Sequence, residues 1–225
     1  MKKFTLKKNT RPEAKLSEEV EAMLRRRDWF VQRLHGNRNQ KGFPDLYASH
    51  HIHGTRWIEL KHHTKSLRFT DAQKWYFPRL IDNGTRIWLL NFADMKPLMK
   101  PPTMEVLIRG SIGREIIKEP PPRQERWGPE ELIQQAIIRA LTAAGWFVME
   151  THGTQYQQGL PDLYATHKLY GSRWIEVKNT RGWSFTPAQR QTFPKMFGAG
   201  TGIWILQGPD LDLLHKGCNL WKFLS

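Results

Sequence analysis

Between Pro129 and Gly145 the apolar residues Leu132, Ile133, Ala136, Ile137, Ala140, Leu141 and Ala144 recur at the spacing of one helix face. Pro129 suits a first helical turn and Gly145 suits the stop that ends it. The run WFVME at 146–150 then reads as a strand, and a polar loop, THGTQYQQG, leads into a second strand, LPDLYATH. Tyr170-Gly171-Ser172 turns the chain into a third strand, RWIEVK at 173–178. Thr186-Pro187-Ala188-Gln189 has the form of a capping box with proline at its first position, so a second helix starts there. GIWIL at 202–206 is the last strand, and the predicted order is αβββαβ.

The same order occurs earlier in the chain. GFPDLYA at 42–48 matches GLPDLYA at 159–165, and RWIELK at 56–61 matches RWIEVK at 173–178, both 117 residues apart. The offset also joins Trp29-Phe30-Val31 to Trp146-Phe147-Val148 and His35-Gly36 to His152-Gly153. One residue is lost after the E-x-K strand, and the offset becomes 116: FTDAQ at 69–73 matches FTPAQ at 185–189, and Ile87-Trp88 matches Ile203-Trp204. A period of that length is a duplicated domain, not a solenoid. The expected division is a first domain at 1–96, a linker at 97–128 and a second domain at 129–225. Prolines flank the linker, and two short β-like runs inside it, Glu105–Arg109 and Arg114–Lys118, suggest a hairpin.

Composition adds a partner class. The chain has 225 residues, with 35 Lys and Arg against 21 Asp and Glu, a formal charge of +14. An excess of that size favours polyanions: DNA, RNA or an anionic membrane surface. No window approaches 18 uncharged apolar residues, which argues against a membrane span. The N-terminal stretch is basic without the apolar core of a secretory signal, and Cys218 is the single cysteine, so a cytoplasmic protein without disulfides or a cysteine-based zinc site is expected.

The period of two along a strand sets the candidate chemistry. Glu176 and Lys178 share a side of their strand, with Ile175 and Val177 on the other; Glu59 and Lys61 repeat this, with Ile58 and Leu60 opposite. A hairpin brings Asp162 beside Glu176 and Asp45 beside Glu59. Two adjacent carboxylates repel, and one lysine offsets only part of that. A hard divalent cation such as Mg²⁺ accepts such a pair together with waters and phosphate oxygens. It would polarise a scissile phosphate, while the lysine orients or deprotonates water, or neutralises developing charge. A solvated ion-pair ladder across the sheet is the competing reading.

G-x-P-D, then E-x-K, then a Ser/Thr-led helix carrying Gln resembles the PD-(D/E)XK nuclease superfamily, and each repeat is similar to its VRR-NUC branch, related to Holliday junction resolvases. The likeness covers roughly residues 12–95 and 128–208. It implies two tandem restriction-endonuclease-like α/β domains and Mg²⁺- or Mn²⁺-dependent hydrolysis of DNA, with branched, flapped or junction DNA as substrate. It makes Asp45, Glu59, Asp162 and Glu176 metal ligands, Lys61 and Lys178 the catalytic lysines, and the carbonyls of Leu60 and Val177 further ligands. Relatives also place a glutamate on the first helix near the metal, a position Glu131 fits. The aligned residue of the first copy is Ala14, with Glu13 one step away, and this departure puts the first site in doubt. Gln73 and Gln189 match the helix glutamine of the family, although the capping box explains both equally well.

The resulting expectation is a monomer that acts as an intrachain pseudo-dimer, a compact design that suits a phage or mobile element. One rival has the second domain cutting and the first only binding. Another is a non-catalytic DNA-binding or assembly protein on a nuclease fold. Lys2, Lys3, Lys7, Lys8 and Arg11, with Arg25-Arg26-Arg27, would add phosphate affinity. His35 and His152 are phosphate contacts or ordinary turn residues. His50, His51, His53, His62 and His63 read as a solvated DNA-facing edge ahead of a zinc site. Trp57 and Trp174 are expected to pack rather than to stack bases.

Overall fold

The structure is a computed structural model that describes residues 12–34, 42–61, 68–102, 104, 129–151 and 159–223. Its first unit runs α1 (Pro12–Arg25), β1 (Phe30–Arg33), β2 (Leu46–His50), β3 (Gly54–Leu60), α2 (Asp71–Asp82) and β4 (Ile87–Leu90). The second repeats it as α3 (Pro129–Ala143), β5 (Phe147–Glu150), β6 (Leu163–His167), β7 (Gly171–Val177), α4 (Pro187–Gly198) and β8 (Ile203–Leu206). Each unit holds one four-stranded mixed sheet, ordered β1-β2-β3-β4 and β5-β6-β7-β8. The first three strands of each are antiparallel, and the last is parallel to the third because a helix carries the chain across. The α/β class and the αβββαβ order are therefore as the hydrophobic pattern predicts. No helix among the described residues is long and apolar enough to cross a membrane.

Both capping boxes form. Thr70 and Thr186 accept from the backbone N–H of Gln73 and Gln189, whose side chains accept in return from the threonine N–H. The glycines of the two G-x-P-D turns lie at positive φ, +102° at Gly42 and +88° at Gly159. A Cβ at either would stand within 3 Å of a helix carbonyl, that of Ala72 or Ala188. Only glycine tolerates that conformation and that approach together, so the turn is pressed onto the first turn of α2 or α4.

The alternation along the strands divides the burial. Leu46, Ala48, Ile58 and Leu60 pack with Leu16, Val20 and Leu24 of α1, and the second unit builds the equivalent core from Ile137, Leu141, Leu163, Ile175 and Val177. The opposite sheet faces meet each other. Trp57 stacks on Trp174 with ring centroids 5.8 Å apart, and Tyr47 and Tyr164 pack edge-on against the tryptophan of the other unit at 5.1 and 4.8 Å. Each tyrosine hydroxyl hydrogen-bonds a threonine across the junction, Tyr47 to Thr201 at 2.9 Å and Tyr164 to Thr85 at 3.0 Å. Every one of these pairs maps onto its partner by the repeat offset, which is the self-complementary geometry of a two-fold interface. One apolar cluster spans both units, with Phe77, Leu80, Phe193 and Met196 from the crossover helices. Trp57 and Trp174 pack, as expected, but against each other.

The first unit does not end at residue 96. Leu98 and Met104 are fully buried, Arg56 Nε donates to the Leu98 carbonyl, and Trp88 Nε1 donates to that of Lys100. Arg173 to Leu214 and Trp204 to Lys216 repeat these contacts, the arginine at an offset of 117 and the other residues at 116. The repeat thus continues to Met104 and Leu220, and the start of the expected linker at 97 belongs to the first unit. The hairpin expected at 105–118 lies outside the described residues.

Because each buried tyrosine–threonine pair ties one unit to the other, Tyr47→Phe is expected to destabilise the whole chain by about 1–2 kcal/mol, leaving the Thr201 hydroxyl without its partner. Urea unfolding monitored by circular dichroism should stay a single transition with a lowered midpoint, and Tyr164→Phe should add a similar decrement.

Candidate functional site

The β2–β3 register pairs Leu46 with Ile58, so Asp45, one residue earlier, stands opposite Glu59 on the face that carries Tyr47 and Trp57. The β6–β7 register does the same for Asp162 and Glu176. Glu59 lies two residues beyond Trp57, roughly 7 Å along the strand, so each site borders the shared core.

Within each site the contacts repeat atom for atom. Asp45 Oδ2 accepts the Leu60 N–H at 2.6 Å, and Asp162 Oδ2 accepts the Val177 N–H at 2.6 Å. Backbone carbonyls of the two aspartates accept in turn from the N–H of Leu34 and of Thr151, both at 2.9 Å, which ties each Pro-Asp turn to the neighbouring strand. Glu59 Oε1 receives Lys61 Nζ at 2.7 Å and Gln73 Nε2 at 2.8 Å; Glu176 Oε1 receives Lys178 Nζ and Gln189 Nε2, both at 2.6 Å. In each glutamine Oε1 caps the helix while Nε2 holds the glutamate.

One carboxylate oxygen is left over in each copy. Glu59 is 1% exposed and Glu176 0%, and the Oε2 of each is buried with no hydrogen-bond partner among the described residues. A buried carboxylate oxygen without a donor is costly. Burial pushes the Glu59 carboxyl up to about 8, with the Asp45 charge adding to it and Lys61 opposing. Burial likewise lifts Glu176 to about 7 and Asp162 well above the usual carboxylate range, the latter with help from Glu176.

This donor set fits a hard divalent cation. It offers an aspartate, a glutamate with an unsatisfied oxygen, and the carbonyl of Leu60 or Val177, which leaves the strand on the same edge as its N–H and so toward the aspartate. Among the described residues no three His, Cys, Asp or Glu side chains converge as a metal cage. Two carboxylates without cysteine or histidine suit Mg²⁺ or Mn²⁺, which keep several waters, and not structural zinc.

Glu131 accepts from Gln135 at 2.6 Å, one helical turn along its own helix. The charge of its neighbour Glu130 adds to the upward push on Asp162 and Glu176. In the first copy Glu131 aligns with Ala14 and Glu130 with Glu13.

The histidine group also divides. His50 is buried, and its Nδ1 accepts the N–H of Ile52 at 3.1 Å; His167 does the same for Leu169. Both close the hairpin between the second and third strands, a role that their matched positions before a turn foreshadow. His51 and His53 are exposed. His35, His62, His63, His152 and the basic N-terminal arm lie outside the described residues, while Arg26 and Arg27 of the expected phosphate-binding run are exposed. Compared with protein-family models, with curated proteins and with solved structures, the chain finds no match in any of the three.

Proposed function

We propose that this chain is a divalent-metal-dependent nuclease that hydrolyses phosphodiester bonds in DNA, with two equivalent sites on one pseudo-two-fold frame. The observation that carries this reading is the twice-repeated Asp–Glu–Lys–Gln set built around a buried glutamate, each with one glutamate oxygen lacking a partner among the described residues. An ion-pair ladder kept for stability would lie in solvent and satisfy its oxygens; the two glutamates do neither. The arrangement agrees with the PD-(D/E)XK likeness and with a restriction-endonuclease-like fold, and the charge of +14 suits a polyanionic substrate in the cytosol.

Asp45 and Glu59 in the first unit, and Asp162 and Glu176 in the second, would hold Mg²⁺ or Mn²⁺, joined by the carbonyls of Leu60 and Val177. The ion supplies Lewis acidity toward the phosphate and toward a water. The rest falls to the chain itself. The Leu60 and Val177 N–H groups brace one oxygen of each aspartate, and Gln73 and Gln189 fix the glutamate rotamer. Lys61 and Lys178 place an ammonium at the edge of the carboxylate pair, where it orients the attacking water or neutralises charge that develops on the phosphate. Two such sites across a two-fold suit a substrate with two strands to cut, which favours branched or junction DNA over a single linear end.

The test is direct. Labelled linear, flapped and four-way DNA should each be incubated with the full chain in Mg²⁺, in Mn²⁺ and in chelator. Cleavage that needs the metal and runs faster on branched DNA is expected. Tight binding with every substrate intact in both metals would replace the nuclease with a DNA-binding scaffold.

A further inference from the structure

Both units set the lysine over a phenylalanine, Lys61 Nζ lying 5.3 Å from the Phe69 ring, but the second unit adds further rings whose repeat positions are not aromatic in the first. Lys178 Nζ lies 6.0 Å from the Phe185 ring, Phe185 contacts Trp183 at 5.3 Å, and Trp183 contacts Phe223 at 5.3 Å. This ladder of rings leads from the site out to the surface. Phe223 is 37% exposed, and Trp221, on the same short 3₁₀ turn (Leu220–Phe223), is 60% exposed with Lys222 Nζ above its ring at 5.5 Å. Arg181 and Lys222 are exposed, and residues 178–186 and 216–223 contain no acidic side chain. Met104 and Leu220 are repeat equivalents, both buried in the shared core, so the alignment holds up to this point. The positions matching Trp183, Trp221, Lys222 and Phe223 in the first copy are Leu67, Glu105, Val106 and Leu107.

We propose that Trp221 and Phe223, backed by Trp183 and flanked by Arg181 and Lys222, form a base-stacking platform that holds an unpaired nucleobase beside the second site. Planar rings between cations match a nucleotide: the face takes the base and the ammonium and guanidinium take its phosphates. The lack of acidic side chains in both segments favours a polyanion as the partner. Continuity with Lys178 places the platform on the strand being presented for cutting. The proposal rests on the nuclease reading and extends it: the two sites are chemically alike, yet the second receives the unpaired end of the substrate, so branched DNA loads in one orientation.

The test uses the full chain and its Trp221→Ala, Phe223→Leu double variant, both residues being surface-exposed. The probes are a blunt duplex and the same duplex with a short single-stranded thymidine extension carrying 2-aminopurine, measured in chelator. Wild type should bind the extended duplex about tenfold more tightly than the blunt one and quench the 2-aminopurine. The double variant should lose that preference and the quenching, while its affinity for the blunt duplex and its metal-dependent cutting of it stay unchanged. Retained preference in the variant, or a bright 2-aminopurine on bound wild type, overturns the platform even if the chain cuts DNA. Quenching by a chain that cuts nothing in Mg²⁺ or Mn²⁺ keeps the platform and removes the nuclease. A variant altered only in self-association, measured by sedimentation, makes the patch a protein contact and also overturns it.

Discussion

Lys61→Met leaves one strand of a four-way DNA uncut, Lys178→Met leaves the other, and the double variant cuts neither, with a loss of roughly 10³-fold against wild type. Methionine keeps the length of the side chain and removes the ammonium, so the glutamate rotamer is still held by Gln73 or Gln189. The near-identity of the two sites is what makes the single variants half-active: Lys–Glu separations of 2.7 and 2.6 Å, and aspartate-to-backbone bonds of 2.6 Å in both. Sequencing gels with each strand end-labelled separate the two nicks. Loss of both cuts in either single variant would mean that the sites act only in concert across the Trp57–Trp174 junction. Full activity of Lys61→Met with none in Lys178→Met would restore the asymmetric rival, in which only the second unit cuts. DNA affinity in chelator should change little, because one buried ammonium per site adds little to a surface field of this size.

Much of this was legible in the chain. The duplication, the αβββαβ order and both capping boxes follow from the spacing of apolar residues and from Thr-x-x-Gln. The grouping of Asp, Glu and Lys follows from the period of two, since Glu59 and Lys61 share a face whatever the rest of the fold does. What covers that face did not follow. Trp57 and Trp174 read as packing residues, but periodicity does not distinguish a helix from a second copy of the domain as the surface that they, with Tyr47 and Tyr164, meet. Residues 97–104 looked like linker because Pro97–Met99 is a 3₁₀ turn too short to show periodicity, and its buried Leu98 is a single apolar residue among prolines and lysines. The unsatisfied Oε2 atoms have no sequence signature at all; they arise because lysine and glutamine both converge on Oε1.

Without divalent metal the protein should lose stability as pH rises from about 4.5 to about 8, and with Mg²⁺ or Mn²⁺ most of that loss should vanish. The sign follows from burial. Glu176 and Glu59 titrate in the folded chain near about 7 and about 8, against an ordinary value of 4.5. Below the ordinary value both states hold the proton and folding bears no penalty. Above it the unfolded chain releases its protons while the folded chain still holds them, so stability is lost progressively as pH climbs from the ordinary value toward the two folded values and levels off above them. The total is on the order of several kcal/mol for carboxyls buried this deeply. A bound cation reverses the preference by favouring the ionised form, so the stabilisation it brings should grow with pH and its uptake should release protons. Thermal melts across this range, in chelator and in metal, measure both slopes. The Glu59→Gln, Glu176→Gln double variant separates this linkage from the histidines and from general charge repulsion: it should melt at nearly constant temperature in chelator over the same window and gain little from the metal. A wild-type midpoint that is flat with pH in chelator, or a metal shift of equal size at both ends of the range, would show that these carboxyls are not the seat of an ion. The paired acids would then be a structural device held together by Lys61 and Lys178 alone.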